Sequence, residues 1–284
     1  MKNNFQAGRI LLLCTVLVSL AFAGCATTLL YNHADWLIVR QLDSYFDLSK
    51  SQKSFAYARL DTILNRHRHE ALPRYETVLR EAGAKVARGL QPDDLDWAFT
   101  QYDQLKRDLF TRFVPDGADF LRLVKDKQIE RLRKTLHNRL AREEELLRDS
   151  KQVRLTKRAD RIVSLAQEWL GPLSRRQEQD MARMAMDLPD TLPLWYAHQL
   201  KRNEQLLTLV ESRHQVAFVD GFTEWMVEHE RDGDPQFIHA VKQQRQHMTA
   251  LILAIDRLAT PEQRRHVLAK LDELANTIHT LGRA

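Results

Sequence analysis

The sequence predicts an all-α protein, and three observations carry that prediction. Apolar residues recur at the three- and four-residue spacing of one helix face, as in the series Leu155, Ala159, Ile162 and Ala166. No segment of strand length alternates apolar and polar residues. Only nine glycines and eight prolines stand in 284 residues, so long segments are free to stay helical. We expect an elongated bundle of helical hairpins.

The first 24 residues have the architecture of an export signal. Lys2 and Arg9 make its start positive, residues 10–22 form an apolar core, and Ala23-Gly24 places small residues before Cys25. That core is too short for a membrane-spanning helix. Residues 1–24 are therefore predicted to be a cleaved signal peptide.

Cys25 is predicted to carry lipid, although two cleavage chemistries fit the sequence. Phe22-Ala-Gly-Cys25 resembles the bacterial lipobox, in which the cysteine is joined to diacylglycerol and becomes the new N-terminus; Leu is usual where Phe22 stands. Ala21-Phe22-Ala23 is instead an A-x-A site that would leave a soluble chain with a free thiol. Acylation explains a lone exported cysteine. Because Ala26 rather than Asp follows, the resemblance implies the outer membrane.

The mature chain has a nearly balanced charge. Its formal charge falls from +5 to +3 because Lys2 and Arg9 leave with the signal. Such a small excess of positive charge does not indicate a nucleic-acid-binding surface. Residues 25–32 are predicted to be the lipidated N-terminus and a short tether, and residues 33–284 a single α-helical domain. Leu29, Leu30 and Tyr31 are apolar, which predicts that the tether packs on the body or in the headgroup zone.

Caps and breaks divide the first part of this domain into helices. A short helix is predicted over residues 34–45, with Trp36 on its buried side. Ser49-x-x-Gln52 is a capping box that begins the next helix, which breaks at Pro73. A further helix ends at Gly89, and Pro115-Asp-Gly117 is predicted to turn the chain.

The second part repeats the same helix-start pattern. Helices are predicted over residues 118–149, 151–170, 194–230, 236–258 and 261–281, the third closed by Asp232-Gly-Asp-Pro235. Ser174-x-x-Gln177 and Thr260-x-x-Gln263 are further capping boxes. The five tryptophans lie on apolar stripes and are predicted to be core residues, at positions 36, 97, 169, 195 and 225.

The three boxes also resemble a known signature. They are good helix-start chemistry in themselves, but they are similar to the Leu-Thr-x-x-Gln motif of small periplasmic envelope-stress chaperones, whose curved helical dimers hold unfolded clients. The resemblance covers short windows: Ser replaces Thr in two boxes, and Ala259 separates Leu258 from Thr260 in the third. Those chaperones are about half this size.

A second resemblance covers residues 25–80. Cys25, Tyr31-Asn-His-Ala-Asp-Trp-Leu, Gln41-Leu-Asp-Ser-Tyr-Phe-Asp-Leu and His67-Arg-His-Glu-Ala-Leu-Pro-Arg-Tyr75 resemble a family of uncharacterised Gram-negative lipoproteins of about this length. Arg66 stands where that family usually has Trp. The resemblance implies location and fold and assigns no catalytic residue.

No compact catalytic or metal motif is found. The sequence lacks G-x-S-x-G, a phosphate loop and G-x-G-x-x-G. His67 and Glu70 share a helix face, but His69 points elsewhere, and two ligands do not close a metal site. We therefore predict no metal, no cofactor and no enzyme activity.

One basic stripe is the candidate partner surface. Lys151, Arg154, Arg158 and Arg161 follow one another at helical spacing, which fits a surface for anionic lipid headgroups or for an acidic partner, or simply a solvated face. The predicted function is a chaperone-like or scaffold role for envelope proteins, anchored by lipid on the periplasmic side of the outer membrane. The alternative is an envelope hydrolase whose site is assembled across helices.

Overall fold

The computed structural model describes residues 24–228 and 234–283, and gives side chains from Thr27 onward. Residues 1–23 of the predicted signal peptide and the Asp232-Gly233 turn lie outside this part of the chain. The described residues form twelve helices and no strand, so the all-α prediction is confirmed. The helices are α1 Gly24–Asn32, α2 Ala34–Phe46, α3 Lys50–Glu70, α4 Leu72–Ala87, α5 Pro92–Arg122, α6 Asp126–Leu147, α7 Lys151–Leu170, α8 Arg175–Met186, α9 Leu192–Glu211, α10 Phe218–Val227, α11 Pro235–Leu258 and α12 Pro261–Arg283.

The predicted helix starts are confirmed by their hydrogen bonds. Ser49 begins α3: the Ser49 side chain accepts from the Gln52 N–H, while the Gln52 side chain accepts from the Ser49 N–H. Ser174 begins α8 in the same way. Thr260 does so for α12. Each box satisfies backbone donors that have no partner within the helix.

The glutamines of these boxes also bind one another across the fold. Gln177 Nε2 donates to Gln263 Oε1 at 2.7 Å and to Leu258 O at 2.9 Å. In return, Gln263 Nε2 donates to Pro172 O at 2.8 Å and to Gln177 Oε1 at 3.2 Å. Both glutamines are buried. The start of α8 is therefore fastened to the start of α12.

A second pair of glutamines fastens α3 to α6 in the same manner. Gln52 Nε2 donates to Gln128 Oε1 and to Leu123 O, and Gln128 Nε2 donates to Gln52 Oε1 and to Asp47 O. Gln128 Oε1 also accepts from the Lys125 N–H, so Lys125 is a fourth helix start. Every one of the four amides donates to the carbonyl two residues before the partner's N-cap. The same fastening therefore occurs in both halves of the chain.

The predicted turn at Pro115-Asp-Gly117 is wrong, because α5 runs through it to Arg122. The break occurs instead over residues 123–125, where the Leu123 carbonyl accepts from Gln52. The helix continues past Pro115 because Val114 and Ala118 are buried in the core. Gly117 lies against the Phe222 ring, and a Cβ there would be 3.1 Å from Phe222 Cε1.

The single helix predicted over residues 194–230 is two helices, α9 and α10, because the chain reverses at residues 212–217. The buried Arg213 donates to the carbonyls of Val210 and Val124 and forms an ion pair with Asp126. These bonds cap the end of α9 and tie it to the start of α6. A long-range hydrogen bond thus ends a helix that local pattern would continue.

Among the described residues, the buried apolar side chains form three clusters. The largest joins α2, α3, α5, α6, α9 and α10. A second lies where α12 packs along α4, built on Leu72, Tyr75, Ile278 and Leu281, and Tyr31 of α1 packs against it. A third joins α7, α8, α11 and α12 around Met181. None of the described helices is long and apolar enough to cross a bilayer.

The prediction that the tryptophans are core residues is confirmed only for Trp225. Trp97, Trp169 and Trp195 are half-buried. Trp36 is 46% exposed, because Val39, Tyr45 and Phe46 form the buried side of α2 instead. The wide apolar stripe of α2 therefore leaves one aromatic side chain in solvent.

Candidate functional site

The described part of the chain has a polar cluster between the N-terminal helix and the body. The imidazole of His67, on α3, lies between two tyrosine hydroxyls. Tyr31 Oη, on α1, is 3.0 Å from His67 Nδ1, and Tyr75 Oη, on α4, is 3.2 Å from His67 Nε2. A neutral imidazole has one N–H and one lone pair, so one hydroxyl accepts and the other donates. Three helices therefore meet at one histidine.

The electrostatics of this cluster favour neutral groups. Burial, together with the smaller effect of the nearby Arg112 guanidinium, lowers the pKa of His67 to about 4. Burial also raises the pKa of the Tyr31 hydroxyl to about 12. Both shifts disfavour the charged form, which is the effect of a low-dielectric site. At neutral pH the cluster is an uncharged hydrogen-bonded contact.

Two further interactions hold α1 at this place. Arg68 donates to Asn32 Oδ1 at 3.3 Å, and its guanidinium lies 5.4 Å from the centre of the Tyr31 ring. Thr27 is buried. The predicted tether is thus a helix with one face fixed on the body.

A small cavity lies beside His67, with room for about one water molecule. It is lined by Ile63, Arg66, His67, Leu109, Arg112 and Phe113, which come from α3 and α5. The Arg112 guanidinium forms an ion pair with Glu70 outside the cavity, which lowers the pKa of the Glu70 carboxyl. The cavity has no carboxylate and no nucleophilic hydroxyl or thiol in its lining.

His69 and Glu70, the side chains near His67 in the sequence that could ligate a metal, bind other groups. His69 Nδ1 lies 2.8 Å from Asn65 O, and Glu70 binds Arg112. Within the described ranges, no three His, Cys, Asp or Glu side chains are placed to hold a metal ion. His67 is a positioning group between helices in this arrangement.

The basic stripe divides into two kinds of residue. Arg158 donates to the carbonyl of Ala185, in the last turn of α8, and to the carbonyls of Leu188 and Pro189 just after it. Arg154 binds Asp190 and Leu147 O. Lys151 and Arg161 are exposed. Arg158 therefore joins α7 to the end of α8, Arg154 joins α7 to the connector that follows α8, and a partner surface on this stripe stays a prediction.

A family model matches residues 44–233, two thirds of the chain. The chain belongs to DUF6279, a family of unknown function. It matches no curated protein and no solved structure. The DUF6279 match includes His67, Tyr75 and the Gln52–Gln128 pair, whereas Cys25, Tyr31 and Gln263 lie outside it. The resemblance to an uncharacterised family is confirmed to that extent, and lipid attachment stays a prediction.

Sequence reasoning singled out the right segments of this DUF6279 chain but assigned them other roles. Tyr31, His67 and Tyr75 each belong to a motif quoted for the lipoprotein resemblance, yet nothing local shows that they touch. Gln128 was missed because its N-cap is Lys125, which has no side-chain acceptor. The sequence signal that could have identified Gln128 is a glutamine three residues after the N-cap, as in the other three boxes.

Proposed function

We propose that this protein is a lipid-anchored binding or scaffold protein on the periplasmic face of the outer membrane. The observation that supports it best is the docking of α1 on the body through Tyr31, His67 and Tyr75. α1 begins at Gly24, one residue before the predicted lipid attachment. An acylated Cys25 would therefore hold the body directly at the bilayer.

The helical state of α1 shortens the distance between anchor and body. Six residues separate Cys25 from Tyr31, which is about 9 Å of helix rise against about 20 Å of extended chain. The Arg68 contacts to Asn32 and Tyr31 fix the orientation as well as the distance. This geometry suits a protein that presents one fixed surface to other envelope components.

A binding role is favoured over a reaction by the contents of the His67 cavity. The hydrolase alternative calls for carboxylates or histidines from three or more helices in one pocket. This cavity joins two helices, holds one histidine and has no carboxylate. The chaperone-like form of the proposal rests on the sequence resemblance of the Ser49, Ser174 and Thr260 boxes to the Leu-Thr-x-x-Gln motif.

Acylation is tested by metabolic labelling. Cells fed labelled palmitate should incorporate it into the wild-type protein and not into Cys25→Ser. The control is Thr28→Ser, a neighbour in α1 whose change leaves the lipobox intact. Equal labelling of wild type and Cys25→Ser, or no labelling of wild type, would show that the anchor is wrong.

The binding role is tested by suppression of aggregation of a denatured protein. The mature chain carrying Cys25→Ser should suppress it, more strongly at low salt, because exposed charges are screened by salt. Lys151→Glu and Arg161→Glu should each weaken the effect relative to Arg176→Glu, an exposed arginine on α8. Arg154 and Arg158 are unsuitable for charge reversal, because Arg154 binds Asp190 of the connector after α8 and Arg158 binds the Ala185 carbonyl of α8. If the wild type fails at several-fold excess, the chaperone role is excluded and a dedicated scaffold becomes the better hypothesis.

A further inference from the structure

The N-terminal helices carry an exposed stripe opposite the face that docks on the body. The His33 N–H donates to Leu29 O at 3.1 Å, and the Leu37 N–H donates to His33 O at 3.0 Å. The helical hydrogen-bond ladder therefore continues from α1 into α2 through His33. His33 itself has a φ of −113° and a ψ of 19°, so the two helices are distinct; Trp36 and Arg40, four residues apart, share one face of α2, and Leu29 and Leu30 lie near the end of α1.

Three large apolar side chains of α1 and α2 are exposed, and an arginine lies beside one of them. Leu29 is 60% exposed, Leu30 40% and Trp36 46%. The guanidinium carbon of the exposed Arg40 lies 5.1 Å from the centre of the Trp36 ring. On the other side of the same helices, Thr27 and Val39 are buried. We call Leu29, Leu30, Trp36 and Arg40 the N-terminal stripe.

We propose that the N-terminal stripe lies in the phospholipid headgroup zone of the membrane that holds Cys25. The inference rests on the proposed lipid anchor and adds the way in which the body sits on the bilayer. Leu29 follows Cys25 by four residues, which is about 6 Å of helix rise. An acyl chain at Cys25 would thus place the first leucine at the boundary of the headgroups and the hydrocarbon.

The chemistry of the stripe fits lipid as its occupant. Tryptophan concentrates at membrane interfaces because its ring is apolar and its N–H is polar. Arg40 presents a cation beside that ring, where a lipid phosphate would accept its hydrogen bonds. The exposed leucines of α1 lose unfavourable contact with water when they enter the boundary.

The proposal fixes the orientation of the molecule. Arg40 lies about 22 Å of helix rise from Cys25. An upright helix would carry Arg40 far above the headgroups, whereas a helix lying along the surface keeps the whole stripe in contact. Because the opposite face is packed on the body, α1 and α2 lie flat between the membrane and the rest of the protein.

Spin labels on the full lipoprotein test this arrangement. The protein is reconstituted in vesicles of phosphatidylethanolamine and phosphatidylglycerol, with one nitroxide at Leu29→Cys, Trp36→Cys or Val216→Cys. An acylated Cys25 does not react with the label, so each variant carries one label. Val216, which is fully exposed in the loop between α9 and α10, is the matched control.

The expected result is a change in accessibility at the stripe. The ratio of oxygen to water-soluble nickel accessibility should rise several-fold at positions 29 and 36 relative to position 216. Circular dichroism checks that the variants are folded, and Leu30→Cys serves as a second apolar position. Equal ratios at 36 and 216 would overturn the proposal. Dipolar broadening between labels at 36 would also overturn it, because a second copy would then cover the stripe.

The anchor and the stripe can fail separately in this design. If the nitroxide reacts with the wild-type protein, which has no introduced cysteine, then the Cys25 thiol is free and the anchor is refuted. In that case vesicles are added to the unacylated protein, and an unchanged ratio at 36 overturns the stripe as well. A blocked Cys25 together with a nickel-accessible position 36 leaves the anchor standing and refutes the stripe alone.

Discussion

The buried pair Gln177–Gln263 provides the sharpest test of how this fold is held together. Gln177→Ala removes four hydrogen bonds: from the Ser174 N–H, at 2.9 Å, from Gln263 Nε2, at 3.2 Å, to Leu258 O, at 2.9 Å, and to Gln263 Oε1, at 2.7 Å. A net contribution of about 1 kcal/mol for each bond, with polar groups left unpaired in a buried place, gives a loss of about 2–4 kcal/mol in the free energy of unfolding.

The assay is urea unfolding of the mature chain carrying Cys25→Ser, followed by circular dichroism. Ser174→Ala should lose about 0.5–2 kcal/mol, because it removes the cap alone. Gln167→Ala, an exposed glutamine on α7, should stay within about 0.5 kcal/mol. A loss for Gln177→Ala no larger than that for Gln167→Ala would refute the reasoning.

Two further variants separate the pair from the cap. Gln177→Glu keeps an acceptor for the Ser174 N–H but places a carboxylate against two acceptors, Leu258 O and Gln263 Oε1. Protonation restores a donor, so this variant should be more stable near pH 4 than near pH 7 when each is compared with wild type. The double variant with Gln263→Ala should show a coupling energy of about 0.5–3 kcal/mol, because the two side chains are in contact.

Three other predictions concern single side chains. The pKa of His67 is about 4 in the folded chain and 6.5 ordinarily, so the unfolded chain binds the proton first as the pH falls. The free energy of unfolding should therefore be highest above pH 6.5 and fall by about 3 kcal/mol towards pH 4. His67→Gln should remove that pH dependence from the unfolding midpoint. Gly117→Ala should cost about 1–3 kcal/mol against the Phe222 ring, whereas Gly83→Ala, with no atom within 4 Å, should stabilise α4 by about 0.5–1 kcal/mol in thermal melts. Arg158→Ala should lose about 2 kcal/mol in urea unfolding because α8 loses its carbonyl caps, and Lys151→Ala should be silent.

The sequence alone determined the class of the fold and most helix starts. Ser49, Ser174 and Thr260 satisfy backbone donors within three residues, so their effect is readable from a short window. The limits of α7 were also readable, because Gly171 has a φ of +81, which glycine adopts at little cost. The predicted export signal is a local pattern of the same kind and stays a prediction, because residues 1–23 lie outside the described part of the chain.

Only the tertiary structure decided where helices continue or stop against their local pattern. Pro115 removes one hydrogen bond from α5, yet the buried neighbours Val114 and Ala118 keep the helix intact. Arg213 ends α9 through bonds to residues almost ninety positions earlier in the chain. The Tyr31–His67–Tyr75 contact and the glutamine pairs arise in the same way, since a side chain's partner across the fold is set by helix packing, which no local window contains.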